Sequence, residues 1–143
     1  MVPDGDGTTP GPIDRPILER LRSQFDDRRT FTSAKIIEEG HLHLRVDVSD
    51  EYYPAAVSAR FEIRWYRNDD FTIHYREERA DSVWQCRWDR HPNTHNSREH
   101  FHPPPAARRT DAEDAQWPID HRDVLGLVID RLEERIETLW ERQ

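Results

Sequence analysis

The chain has 143 residues, of which 34% are hydrophobic and 35% charged, with a formal net charge of −8. That length supports one domain with a modest core and little more. The acidic balance argues against nonspecific nucleic-acid binding by the whole surface, so an anionic partner has to meet a local cationic patch. Arginine supplies nearly all the positive charge, with Lys35 the only lysine among 21 basic residues. An acid-rich, lysine-poor composition resembles that of halophilic proteins. In strong salt, exposed attraction becomes short-ranged, and the planar arginine fork is suited to direct contact with phosphate. The lone Cys86 excludes an internal disulfide and a thiolate-rich zinc site, which fits a reducing, cytoplasmic setting. No run of about 18 apolar residues is present, so no membrane-spanning helix is expected.

Residues 1–12 are rich in Gly, Pro and Asp and are expected to be a disordered tail. From Ile13, the apolar residues Ile17, Leu18, Leu21 and Phe25 recur at helical spacing, with Asp14 as cap and Pro16 in the first turn. The period then changes to two. Leu42, Leu44, Val46 and Val48 share one face, as do Phe61, Ile63 and Trp65, then Phe71, Ile73 and Tyr75, then Trp84, Cys86 and Trp88. These predict four strands, and Ser33–Glu39 a fifth, joined by short turns as an antiparallel meander. The register between Asp47 and Ala59 is open, because Tyr52, Tyr53 and Val57 suit either a strand or a loop. The stretch of about 91–118 reads as a flexible loop. Asp120 then caps a helix of about six turns whose stripe is Val124, Leu125, Val128, Leu132, Ile136 and Leu139. The expected architecture is a single α+β domain over 13–143: an N-terminal helix, a five-stranded antiparallel meander sheet and a long C-terminal helix packed on one face.

The densest chemistry lies between His91 and Ala106, which holds four of the eight histidines: His91, His95, His100 and His102. Imidazole titrates near neutrality and can carry protons or hold a metal. From Arg87 to Arg109 five arginines stand against two acids, so this stretch is net positive. On the sheet, the alternation that turns the aromatics inward turns His41, His43, Arg45, Arg64, His74, Arg76 and Arg87 outward. Cleavage of a phosphodiester needs a base for the attacking 2′-hydroxyl, an acid for the leaving oxygen and a cation for the developing charge. His74, His100 and His102 can supply the first two, and Arg76, Arg87 or Arg98 the third, with no metal or other cofactor. A metalloenzyme reading uses His91, His95, His100 and His102 with Glu99 or Asp89 in support, although the spacing matches no common zinc pattern. A third reading is a noncatalytic module whose cationic loop docks RNA or a protein. Cys86, between two inward tryptophans, reads as an apolar filler.

The segment Arg64-Trp-Tyr-Arg-Asn-Asp-Asp-Phe-Thr-Ile-His-Tyr-Arg76, followed by the loop ending His100-Phe-His-Pro103, resembles the TumE-type toxins of toxin–antitoxin modules over about residues 33–142. The resemblance implies a growth-inhibiting protein with an antitoxin partner, acting on RNA, and it points to Tyr75, Arg76, His100 and His102. Together the readings give His74, Arg76, His100 and His102 as catalytic candidates, and Tyr75, Arg64, Arg87 and Arg98 as substrate-binding candidates.

Overall fold

The computed structural model describes residues 11–91 and 98–143. The expected disordered tail and His95 therefore fall largely or wholly outside the described residues. Helix α1 (Arg15–Asp26) begins where the sequence places it: the Asp14 carboxylate accepts a hydrogen bond from the Ile17 amide at 3.2 Å, and proline occupies the first turn, where its missing N–H costs nothing. Leu18, Leu21 and Phe25 are its buried stripe.

The sheet is an antiparallel meander of seven strands in sequence order: β1 (Phe31–Ile37), β2 (His43–Val48), β3 (Ser58–Trp65), β4 (Phe71–Glu78), β5 (Val83–Arg90), β6 (Glu99–His102) and β7 (Glu113–Asp114). The expected count of five is corrected. Both additional strands come from the stretch 91–118 that read as a flexible loop. They are short, they include one large apolar residue, Phe101, and their place is set by pairing, β6 with β5 and β7 with β6, rather than by an apolar period of their own. The unresolved register before Ala59 is settled by a single helical turn at Asp50–Tyr52, after which Tyr53 turns into the core. Helix α2 (His121–Glu141) follows, capped by Asp120, whose carboxylate accepts from the Arg122 amide at 2.8 Å.

Both helices lie on one face. Phe25 of α1 packs edge-on against Phe31 and beside Phe61, while α2 buries Val124, Leu125, Val128, Ile129 and Leu132 against the same sheet surface. Phe61, Ile63, Phe71, Ile73 and Tyr75 are at most 2% exposed beneath them. Arg90 ties the far edge together: its guanidinium lies over the Phe71 ring at 4.8 Å, pairs with Glu99 and donates to the carbonyls of Asp69 and Pro118.

One charge sits inside this core. The Glu77 carboxylate is fully buried and accepts hydrogen bonds from Arg135 on α2 at 2.9 and 3.0 Å, from Arg79 at 2.8 Å and from the Tyr75 hydroxyl at 2.6 Å. Burial alone raises its pKa, but these donors outweigh burial and hold it below the usual carboxylate range. Such a group stabilises the fold above its unfolded pKa, near 4.5, and loses that contribution as pH falls through its lower folded value. Glu77→Gln should therefore lower stability at pH 7 by about 3 kcal/mol and make stability fall less steeply below pH 4.5, measured by urea unfolding at several pH values. An unchanged acid limb would contradict this account.

Candidate active site on the helix-free face

Strand alternation places one set of side chains on the face that neither helix covers, and the register aligns them in rows. One row runs Lys35, Arg45, Glu62, His74, Arg87, His102 across β1 to β6. The next row brings Thr72, Asp89 and His100 opposite one another. Two of the four histidines expected in a loop, His100 and His102, therefore stand on β6, locked by pairing, and His102 is the direct cross-strand neighbour of Arg87, which is in turn the neighbour of His74. His74 and His102 are two strand spacings apart, about 10 Å.

At the β5–β6 end these residues converge on one carboxylate. Asp89 is fully buried, and its Oδ2 lies 2.8 Å from His102 Nε2, 3.5 Å from His100 Nε2, 3.5 Å from His91 Nε2 and 3.0 Å from Arg87 Nε. The rings of His91 and His100, and of His100 and His102, have centroids 4.9 Å apart. Desolvation alone pushes the Asp89 carboxyl up, yet hydrogen bonds from His100, His102 and His91 and the nearby Arg87 charge hold it well below the usual range. The other oxygen, Oδ1, and His100 Nδ1 are buried with no hydrogen-bond partner among the described residues. His102 Nδ1 faces the Arg108 carbonyl at 3.3 Å, where the chain after β6 folds back, and its Nε2 also lies 3.1 Å from the Arg87 guanidinium. Trp117 donates to the Asp89 carbonyl at 2.9 Å and so pins the segment that returns over this edge.

The remaining candidates divide. His74 is half-buried, with Nε2 2.8 Å from Gln85 Oε1; desolvation is the main cause that lowers its pKa, so the ring is neutral at pH 7. Arg76 stands beside it, held by Glu78 at 2.8 Å. Arg64 is on the same face, half-buried, opposite Thr72. Two candidates lie elsewhere. Tyr75 points into the core, 2% exposed, with its hydroxyl against Tyr53 and Glu77, because strand alternation sends it opposite to His74. Arg98 binds the buried Asp70 and the Asn68 carbonyl, bracing the β3–β4 turn. Cys86 lies in the core, its thiol pushed up to about 12 by burial.

Asp89, named in the sequence only as support, is the hub of the cluster. Its position in an Arg-x-Asp alternation at the end of a strand hinted at an outward carboxylate, but nothing in the sequence reveals that four donors meet it. The Arg108 carbonyl contact has no side-chain signature at all.

The fold and the site define a small α+β protein with a buried Asp–His–His centre flanked by arginine on an open sheet face. A family model described as toxin TumE matches residues 15–136, and the chain belongs to that family. No curated protein and no solved structure matches the chain. No helix among the described residues is long and apolar enough to cross a membrane.

Removing the hub leaves several buried donors facing one another without a counter-charge. Asp89→Ala should therefore destabilise the protein by about 3 kcal/mol, whereas Asp47→Ala on the same face, half-exposed, should cost under about 1 kcal/mol. Paired thermal or urea melts compare the two, and equal losses would contradict the hub role.

Proposed function

We propose that this protein is the toxin of a toxin–antitoxin module, that an antitoxin protein is its partner, and that it acts on RNA in the cytoplasm through the helix-free face. Membership of a toxin family supports the first part. The same membership supports the antitoxin partner, and the row His74–Arg87–His102 supports action on RNA; that row is the observation on which the reading rests.

In this reading Arg87, between the two histidines, holds a backbone phosphate. Arg64 and Arg76 offer further cationic contacts on the same face. His74, neutral at pH 7, accepts the proton of the 2′-hydroxyl; the 2′ oxygen attacks phosphorus, the bond to the 5′ oxygen breaks, and that oxygen takes a proton from the Asp89–His102 pair. The products are a 2′,3′-cyclic phosphate and a 5′-hydroxyl end, with no oxidant or cofactor consumed. His100, packed against Asp89, positions that pair. A noncatalytic RNA-binding module is the second reading, favoured by the near-complete burial of His100 and His102, which are 1% and 2% exposed. An RNA-cleavage assay separates the two.

His74→Ala and Arg87→Ala should each reduce cleavage and growth arrest about 100-fold or more while leaving folding intact, and Tyr75→Phe should retain activity. With His74 as base, activity should persist below pH 6.5, because the ring stays neutral there and is lost only as pH falls through its lowered pKa. RNA bound but uncut by the wild-type chain would support the binding module, and growth arrest untouched by both substitutions would remove the assignment.

A further inference from the structure

We propose that Asp89, His100 and His102 form a binding site for a divalent transition-metal ion of the zinc class, with His91 supplying or yielding a fourth position. Ligand atoms of the first three all lie within 4.8 Å of one another, and all three side chains are buried. His91, 16% exposed, is the member that reaches toward solvent, and its Nε2 is 3.5 Å from Asp89 Oδ2.

Three observations carry this beyond the mere proximity of histidines and a carboxylate. The first is the lopsided carboxylate. A carboxylate offers two equivalent oxygens, yet Oδ2 is approached by Arg87 and three imidazoles while Oδ1 is buried without a partner among the described residues. Leaving a buried acceptor bare costs free energy, and so does crowding three imidazoles and a guanidinium onto one oxygen in a site shielded from water. A divalent ion accounts for the crowding, because it takes the lone pairs of neutral imidazoles and charge from the carboxylate together.

The second is the tautomer of His102. Its Nδ1 faces the Arg108 carbonyl, an acceptor, so a neutral ring carries its proton there. The Nε2 lone pair then faces the Arg87 guanidinium at 3.1 Å with Asp89 Oδ2 only 2.8 Å away, a crowding of lone pairs that an ion held between ring and carboxylate relieves. A ring nitrogen donating to a backbone carbonyl while the other faces the site is the usual support of a metal-bound histidine.

The third is spacing. Donors arranged tetrahedrally around an ion at about 2.0–2.1 Å stand about 3.3–3.4 Å apart. Asp89 Oδ2 is 3.5 Å from His100 Nε2 and 3.5 Å from His91 Nε2. His102 is nearer, at 2.8 Å, and has to withdraw by roughly half an ångström, while the ligand-atom separations, which reach up to 4.8 Å, have to close to admit an ion of that size. Mixed imidazole and carboxylate donors without thiolate select zinc, nickel and cobalt over magnesium or calcium. Binding of the ion is independent of the RNA reading above. What the ion does for RNA rests on that reading: an occupied site makes His102 a ligand, so the proton transfer from His102 to the leaving oxygen belongs to the ion-free form.

The full chain, stripped with chelator, should be titrated with Co2+ and followed by visible absorption, with Zn2+ competing. One equivalent of Co2+ per chain, with the intense bands of four- or five-coordinate cobalt, is expected. Asp89→Asn and His102→Gln should weaken binding at least about 100-fold, and His41→Ala, on a separate histidine pair, should leave it unchanged. Because the variants risk misfolding, the wild-type chain supplies a second readout. Zn2+ should raise its melting temperature and shift the ring signals of His100 and His102 in NMR spectra. Less than one equivalent bound, or a titration lowered by His41→Ala and not by His102→Gln, would overturn the site, and so would unmoved His100 and His102 signals. None of these readouts involves RNA, so failure here leaves the cleavage assay to judge the toxin mechanism separately.

Discussion

The pairing of β6 with β5 is the constraint on which the chemistry of this protein depends. Four residues, Glu99–His102, supply it, and two of them bring imidazoles opposite Arg87 and Asp89. A shift of one residue would turn both histidines toward the tryptophan side of the sheet, since alternate residues of a strand face opposite ways. The register is held by partners outside the strand itself. Arg90 pairs with Glu99 at one end, the His91 amide donates to the Arg98 carbonyl, and the Gln85 amide binds the Pro105 carbonyl at the other.

The two faces of the sheet solve different electrostatic problems with the same device, a buried carboxylate ringed by donors. On the helix side, Glu77 is satisfied by Arg135, Arg79 and Tyr75, and both of its oxygens are used. That arrangement is complete and structural. On the open side, among the described residues, Asp89 uses one oxygen heavily and the other not at all. The contrast within one molecule is what separates a brace from a site.

Much of the fold could be read in the chain because its strands are amphipathic. Phe61-x-Ile63-x-Trp65 and Phe71-x-Ile73-x-Tyr75 declare a core face, and Asp14 and Asp120 declare helix starts. β6 and β7 could not be read this way, because Glu99-His-Phe-His102 carries a single large apolar residue and Glu113-Asp114 none. Their strand character is imposed by the edge they join, a tertiary effect. The same reason explains the site: His74, Arg87, His100 and His102 were legible as residue types, while Asp89 as their centre required a register that only pairing supplies. Tyr75 shows the reverse. Alternation put it inward, and a family likeness pulled it toward the site; the local rule agrees with its position in the core.

The dependence of Glu77 on Arg135 also orders events during synthesis. Every strand that builds the open face is made before residue 115, but the part of the opposite surface that α1 does not cover stays bare, with Glu77 lacking its Arg135 partner, until the last helix emerges and docks. A ribosome-bound chain therefore carries the imidazoles and guanidinia of the site on a sheet backed by α1 alone. In a member of a toxin family, the sheet that carries the candidate site thus gains its full backing only once α2 has been made.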